Sequence, residues 1–371
     1  TPVVAPTNAP VVAPTNAPVV APTNAPVVAP TTPAPVAAPI SSRDQEIQAK
    51  CDVSAIDRSA ALTLIASTVS PLADLNDPSS SRYQALDWIT NVDPALLCPT
   101  PSNRIAQRYR AAQLYFHMGG EEWTKCGRNS VTCVRNDDDK SLRDPLPWLT
   151  MDNECLWFGL RCIDVPPPPP AIDSNDTVLA VDNTVTPDDH YEWDVIELPA
   201  NNLVGEWPAE LFTMSNLRAL AMDGNGRISG SIPTTISNLR QLEFLDVDSN
   251  ALTGTLPDEL WENTNLLVLD LNDNQFTGTV SGELANLRQL NVLQLEFNQF
   301  TGTIPTAALF VLERLVALTI NDNEFTGSVE EICAVVDERQ VDFEIYLTYF
   351  HVDCNSDPQK VECSCCLCFP Q

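Results

Sequence analysis

The stretch from Leu242 to Leu284 decides the fold. It reads LEFLDVDSNALTGTLPDEL from Leu242 and LLVLDLNDNQFTGTVSGEL from Leu266, one pattern written twice at a step of 24 residues. In each copy apolar residues alternate with polar ones, Leu245 and Val247 in the first, Leu269 and Leu271 in the second. That is the period of a short strand with one buried face. Working outward, NVLQLEFNQFTGTIPTAAL from Asn291 and VALTINDNEFTGSVEEI from Val316 follow the same template. DVIELPANNLVGEWPAEL from Asp194 and RALAMDGNGRISGSIPTTI from Arg218 are weaker copies that precede it.

Six pivot residues, Asn201, Asn225, Asn250, Asn274, Asn298 and Asn323, recur at steps of 24, 25, 24, 24 and 25, and Gly205, Gly230, Gly254, Gly278, Gly302 and Gly327 keep the same rhythm. A buried Asn amide donates and accepts, so a column of them forms a ladder satisfying backbone groups that each turn leaves open. Leu252, Phe276, Phe300 or Phe325 then enters the core, Gly permits a bend, and Pro208, Pro233, Pro257 or Pro305 starts the return. One coil cannot bury its apolar edge alone, so the coils must stack into a solenoid with parallel strands on the concave wall. Truncating an inward residue, as in Leu269→Ala, is expected to cost roughly 2–5 kcal/mol.

The motif L-x-x-L-x-L-x-x-N-x-x-T/S-G-x-I/L-P resembles the plant-specific class of leucine-rich repeats, whose members include receptor-like kinase ectodomains, receptor-like proteins and polygalacturonase-inhibiting proteins. Trp148-Leu149 followed by Cys155-Leu156-Trp157-Phe158-Gly159-Leu160-Arg161-Cys162 is similar to that family's N-terminal cap, C-x-W-x-G-x-x-C. The resemblance covers about Trp148 to Glu331 and implies an α/β right-handed solenoid with a helical N-terminal cap, a Cys-rich C-terminal cap and a disulfide between Cys155 and Cys162. Stalk-borne secreted or surface proteins of microalgae look similar more loosely. Six coils are few for a peptide-hormone receptor, and no kinase segment follows.

Five segments are expected from composition. Residues 1–42 repeat the octapeptide PVVAPTNA, with Pro at every fourth position from Pro2 to Pro30, which forbids helix and ladder and favours an extended polyproline stalk. Thr7, Thr15 and Thr23 suit O-glycans there. Residues 43–162 read as a helical, disulfide-stapled cap domain: Ile56, Ala60 and Leu64, with Ala61 and Ile65, fall at helical offsets, and Ile105, Tyr109, Ala112 and Phe116 form an apolar stripe on a helix from Asn103 to Met118. Residues 163–192 are an acidic Pro-rich insertion, read as a surface loop, that holds the N-glycan sequon at Asn175. The repeats fill 193–332. After Val329 the pattern dissolves, Ile345–Cys354 offers one last strand, and 333–371 form a Cys-rich cap.

Twelve Cys, six before the repeats and six after, point to two disulfide-stapled ends in an oxidising compartment. The rival is a thiolate cluster at Cys363, Cys365, Cys366 and Cys368, for which a second C-x-x-C or a His pair is missing. Spacing does not give the pairings. The formal charge of −30 argues against nucleic acid, whose binding needs a basic surface. No apolar run approaches the ~20 residues of a membrane span. Without a starting Met or leader the chain reads as a trimmed product, with a signal or membrane anchor expected upstream. Oligomeric state is not legible.

No phosphate loop, nucleophile elbow or H-E-x-x-H is present, and no nucleophile–base pair stands out, so no enzyme and no cofactor are expected. Asp270-x-Asn272-x-Asn274 begins like a calcium loop but has Gln275 at position six and Ser281 at position twelve. The concave wall remains. One column reads Glu197, Ala221, Asp246, Asp270, Gln294, Thr319; the next Pro199, Asp223, Asp248, Asn272, Glu296, Asn321; the third Ala200, Gly224, Ser249, Asp273, Phe297, Asp322. Acids stand at eight of these positions and bases at none; Arg218, Arg240, Arg288 and Arg314 lie outside. These columns are expected to face solvent and attract a cationic partner, with Phe297 as an anchor; plain acidity for solubility is the rival reading. Three function classes follow: an extracellular or cell-surface recognition or adhesion module for a protein or glycan, an inhibitor of a secreted cell-wall hydrolase, and an ice- or mineral-binding protein using the Thr253, Thr277, Thr301 and Thr326 ladder.

Overall fold

The computed structural model describes residues 41–99, 103–129, 133, 145–164, 191–333, 349–354 and 361–368. The chain divides into two units, Thr1–Ser41 and Ser42–Gln371. The stalk repeats, the glycan sequon at Asn175 and the acidic run Asp137–Asp139 lie outside the described residues.

The second unit begins with a helical cap: α1 (Ser42–Cys51), α2 (Ala55–Ser67), α3 (Leu72–Leu75), α4 (Ser81–Asp87) and α5 (Asn103–His117). Ser54 caps α2 by accepting from the Asp57 N–H, and Ser80 caps α4 by accepting from Arg82. Gly119, at φ 73°, ends the chain's run after α5 in a left-handed turn. Ile105, Tyr109 and Ala112 on α5 are buried as the stripe predicts. The α2 stripe is a correction: Ile56 and Leu64 are 82% and 69% exposed, while Arg58, Leu62 and Ala66 face the core. Arg58 can be the buried residue because its guanidinium donates to the carbonyls of Ile89, Thr90 and Leu97. A charge with enough acceptors displaced the apolar face that periodicity favours. The cap core is built on Trp148, Trp157, Tyr115 and Trp123, with Arg108 over Trp88 and Trp157 and held by both oxygens of Asp93.

From the cap the chain enters the coil stack through an antiparallel pair, Leu160–Asp164 against Tyr191–Glu197, so the acidic insertion leaves and returns at the ends of a hairpin. The inner wall is a nine-stranded sheet, parallel after that first pair; a second sheet of seven strands follows the turns. Leu220, Leu245, Leu269, Leu293 and Leu318 pair in register across the inner wall and are buried to within 1%. Behind them Phe276, Phe300 and Phe325 stack at 6.1 and 6.0 Å between centroids. Cap and coils share one core, tied also by Glu210, buried and bonded to Arg82 and Ser70.

The Asn ladder runs through this core. Asn274 donates to the Val247 carbonyl of the preceding coil at 2.9 Å and accepts from the Leu252 N–H at 2.9 Å. Asn298 and Asn323 repeat the arrangement with Leu271 and Phe276, and with Leu295 and Phe300. Asn225 does so with Leu198 and Leu203, and Asn201 accepts from the cap's Lys125. Two rungs are incomplete: the Asn201 amide nitrogen is buried without an acceptor, and Asn250 lacks its donor. Gly226, an extra residue at φ 71°, follows Asn225, and its N–H goes to the Ser249 carbonyl; the side-chain oxygen of Asn250 is left buried without a donor. The other step of 25 places its extra residue beyond Phe300, and that rung survives.

The tail extends both sheets rather than only shielding them. Tyr349–Val352 pairs with Ala317–Thr319, Leu367–Cys368 pairs with Tyr349–Val352, and Val361–Glu362 joins the second sheet. Disulfides among the described residues join Cys51 to Cys98, Cys126 to Cys133, Cys155 to Cys162, Cys333 to Cys365 and Cys363 to Cys366.

Candidate functional site

The inner wall gathers part of the predicted site into one cluster. Carboxylate oxygens of Asp246, Asp248 and Asp270 all lie within 4.8 Å of one another. Asp246 and Asp270 stand side by side on paired strands, and Asp248 follows two residues on, pointing to the same face. Such a trio is spaced to share a cation, and water competes little for Asp270, which is 7% exposed. That burial corrects the expectation that every column position faces solvent: Asp270, Thr319 and Asn321 are buried, Asp270 engaged by the Asn272 amide and Thr319 by Glu296.

The electrostatics follow from that crowding. Burial pushes the Asp270 carboxyl up to about 7, helped by the like charges of Asp246, Asp248 and Glu296, against a hydrogen bond from the Asn272 N–H. Burial likewise raises Asp246 to about 6, with Asp223 and Asp248 adding to it. Asp223 is raised by burial and by Asp248, and lowered by Lys125. Asn272 is committed to Asp270, to which its side chain donates at 2.7 Å. Glu296 accepts from the Thr319 hydroxyl. Glu197 is exposed at the cap end, apart from the trio.

The third column is a row of turns. Ala200, Ser249, Asp273, Phe297 and Asp322 hold φ between 46° and 54°, the left-handed region, and Gly224 takes the equivalent place at 65°. Phe297 is 49% exposed there. A bulky residue in this conformation is strained, where Asp and Gly are tolerated.

Two features escaped the sequence reading. Lys125, from the cap, donates to the Pro199 carbonyl at 2.6 Å and brings a base to the wall's end; nothing in the repeat pattern announces it. Beside the acidic columns Ala219, Phe244, Val268, Val292, Ala317 and Tyr349 align in register, with Phe244 and Tyr349 44% and 57% exposed. Their place just before each inward residue was the available signal. The Thr253, Thr277, Thr301 and Thr326 ladder lies on the second sheet, each hydroxyl donating to the Gly carbonyl of the preceding coil. At the tail, the sulfurs of Cys333, Cys363, Cys365 and Cys366 also lie within 4.8 Å of one another, and are spent on two disulfides.

Residues 241–263 and 265–287 match the Leucine Rich Repeat family. Around them the laddered Asn, the paired inner strands and the second sheet continue the same coil on both sides. The stack is a leucine-rich-repeat solenoid. Among solved structures, this leucine-rich-repeat chain is 33% identical to the plant peptide hormone receptor RGFR1, solved in complex with RGF2, over 35% of this chain and 21% of that one, at a TM-score of 0.34. A plant ice-binding protein is 24% identical, with 50% and 52% covered and a TM-score of 0.39. The ectodomain of the receptor kinase SOBIR1 from Arabidopsis thaliana is 23% identical, with 47% and 84% covered and a TM-score of 0.39. The chain thus spans about a fifth of the first of these and about half of the second. No curated protein matches it. No helix among the described residues is long and apolar enough to cross a membrane.

Proposed function

We propose that this leucine-rich-repeat protein is an extracellular or cell-surface recognition module whose inner wall docks a cationic protein segment. The observation that carries the reading is the trio Asp246, Asp248 and Asp270, with carboxylates within 4.8 Å of one another on the sheet. Three such groups repel one another, and an ammonium or guanidinium placed among them relieves that repulsion and regains the cost of burying Asp270. The adjacent row from Phe244 to Tyr349 supplies apolar surface for the partner's neighbouring side chains. The disulfides suit an oxidising compartment. The Thr ladder is a weaker basis for function, because its hydroxyl protons are already given to backbone carbonyls.

The test is calorimetric titration with a basic peptide of alternating Lys and Leu at low salt. Binding is expected to weaken about tenfold or more in the double variant Asp248→Asn, Asp270→Asn, and to fall steeply with salt. Unchanged binding by the double variant would remove the reading.

A further inference from the structure

A pocket of about 150 Å3 lies apart from the Asp246–Asp248–Asp270 trio, where α5, the start of the first inner strand of the coils and the turn Thr213–Asn216 meet. Arg110 lines it. In a chain with an excess of 30 negative charges this guanidinium has no ion-pair partner among the described residues, and its one hydrogen bond there runs from Nε to the Thr213 hydroxyl at 3.1 Å. Its two terminal nitrogens have no acceptor among the described residues. Burial holds its pKa below the usual value, with Glu192 and Glu210 acting the other way. Trp193 also lines the pocket, and its indole N–H is buried without an acceptor. Glu192 lines the pocket as well, and its carboxylate accepts from Asn216.

Donors without acceptors call for a carboxylate, and the Arg fork is shaped for a planar one held by two bonds. A simple anion would meet the charge of Glu192 and of the acidic protein as a whole. A ligand carrying its own ammonium meets both groups with the favourable sign, and the volume admits a molecule of only several non-hydrogen atoms. We propose that this pocket binds a small zwitterion of the α-amino-acid class, with its carboxylate on Arg110 and its ammonium toward Glu192. The site is separate from the acidic trio, and neither reading depends on the other.

The full chain labelled with nitrogen-15 in its seven Trp gives one indole resonance for each, and Trp193→Phe identifies the one that reports on this pocket. Titration with L-alanine at millimolar concentrations is expected to shift that resonance; acetate and methylammonium should each need about tenfold more. Arg110→Gln and Arg110→Lys are both expected to weaken the alanine response about tenfold, the second because it keeps the charge and loses the fork. The remaining indole resonances report whether either variant is folded, and one folded variant suffices. No shift with alanine, an equal shift in a folded Arg110 variant, or acetate acting at the same concentration as alanine would overturn the proposal.

Discussion

Asp353 closes the ladder that Asn323 ends: its two carboxylate oxygens accept from the Asp322 N–H at 2.9 Å and from the Asn323 N–H at 3.1 Å. It is 3% exposed and stands where a seventh Asn would, 30 residues on instead of 24 or 25. Asp353→Ala strands one buried and one half-buried N–H group and should cost about 2–4 kcal/mol. Asp353→Asn keeps one acceptor and should cost less. Urea unfolding of the three proteins orders them.

Removing Gly226 should strengthen the stack. The deletion restores the 24-residue step, bringing the Ile228 N–H to the position from which Leu252 reaches Asn274 in a regular coil. The buried oxygen of Asn250 then gains a donor, worth on the order of 1 kcal/mol. A rise in the urea midpoint with an unchanged slope is the expected result; a fall would show that the extra residue relieves strain elsewhere in the second coil.

Phe297 trades stability for exposure. Replacing it with Asp, the residue at the equivalent positions 273 and 322, relieves the left-handed backbone of a bulky side chain and should stabilise the fold by about 1 kcal/mol. If Phe297 is an anchor for the cationic partner, Phe297→Gly should weaken peptide binding several-fold while leaving unfolding unchanged or improved. Thermal melts and the same calorimetric titration separate the two effects.

The wall should be sensitive to pH. Asp246 and Asp270 are held near 6 and 7, above the ~3.9 of an unfolded Asp. A raised carboxyl contributes its stability in full below the unfolded value and loses it as pH rises through the folded one, so stability should decline between about pH 4 and 7 through these two groups. Asp270→Asn removes much of that decline and should stabilise the protein at pH 8, by on the order of 1–3 kcal/mol, while changing little at pH 4. Binding of the basic peptide should run the opposite way, tighter at pH 8 than at pH 5.5. A flat stability profile would place both carboxyls in water.

The spacing of the six Asn, the alternation at Leu245 and Val247 and the repeated Gly determined the coil, because each of those residues answers a local demand that recurs at a fixed step. The same periodicity misplaced the buried face of α2, where Arg58 is favoured by carbonyls 31 to 39 residues away. It also missed Asp353, whose role follows from the distance between two N–H groups and not from its neighbours in the chain. The acidic columns were legible as composition; only tertiary structure decided that Asp246, Asp248 and Asp270 crowd together, that Asp270 is buried, and that Lys125 and Arg110 stand near walls to which their sequence positions do not connect them. A repeat encodes its own contacts with the next copy. Burial, and the charge that burial shifts, depend on every element that packs against it.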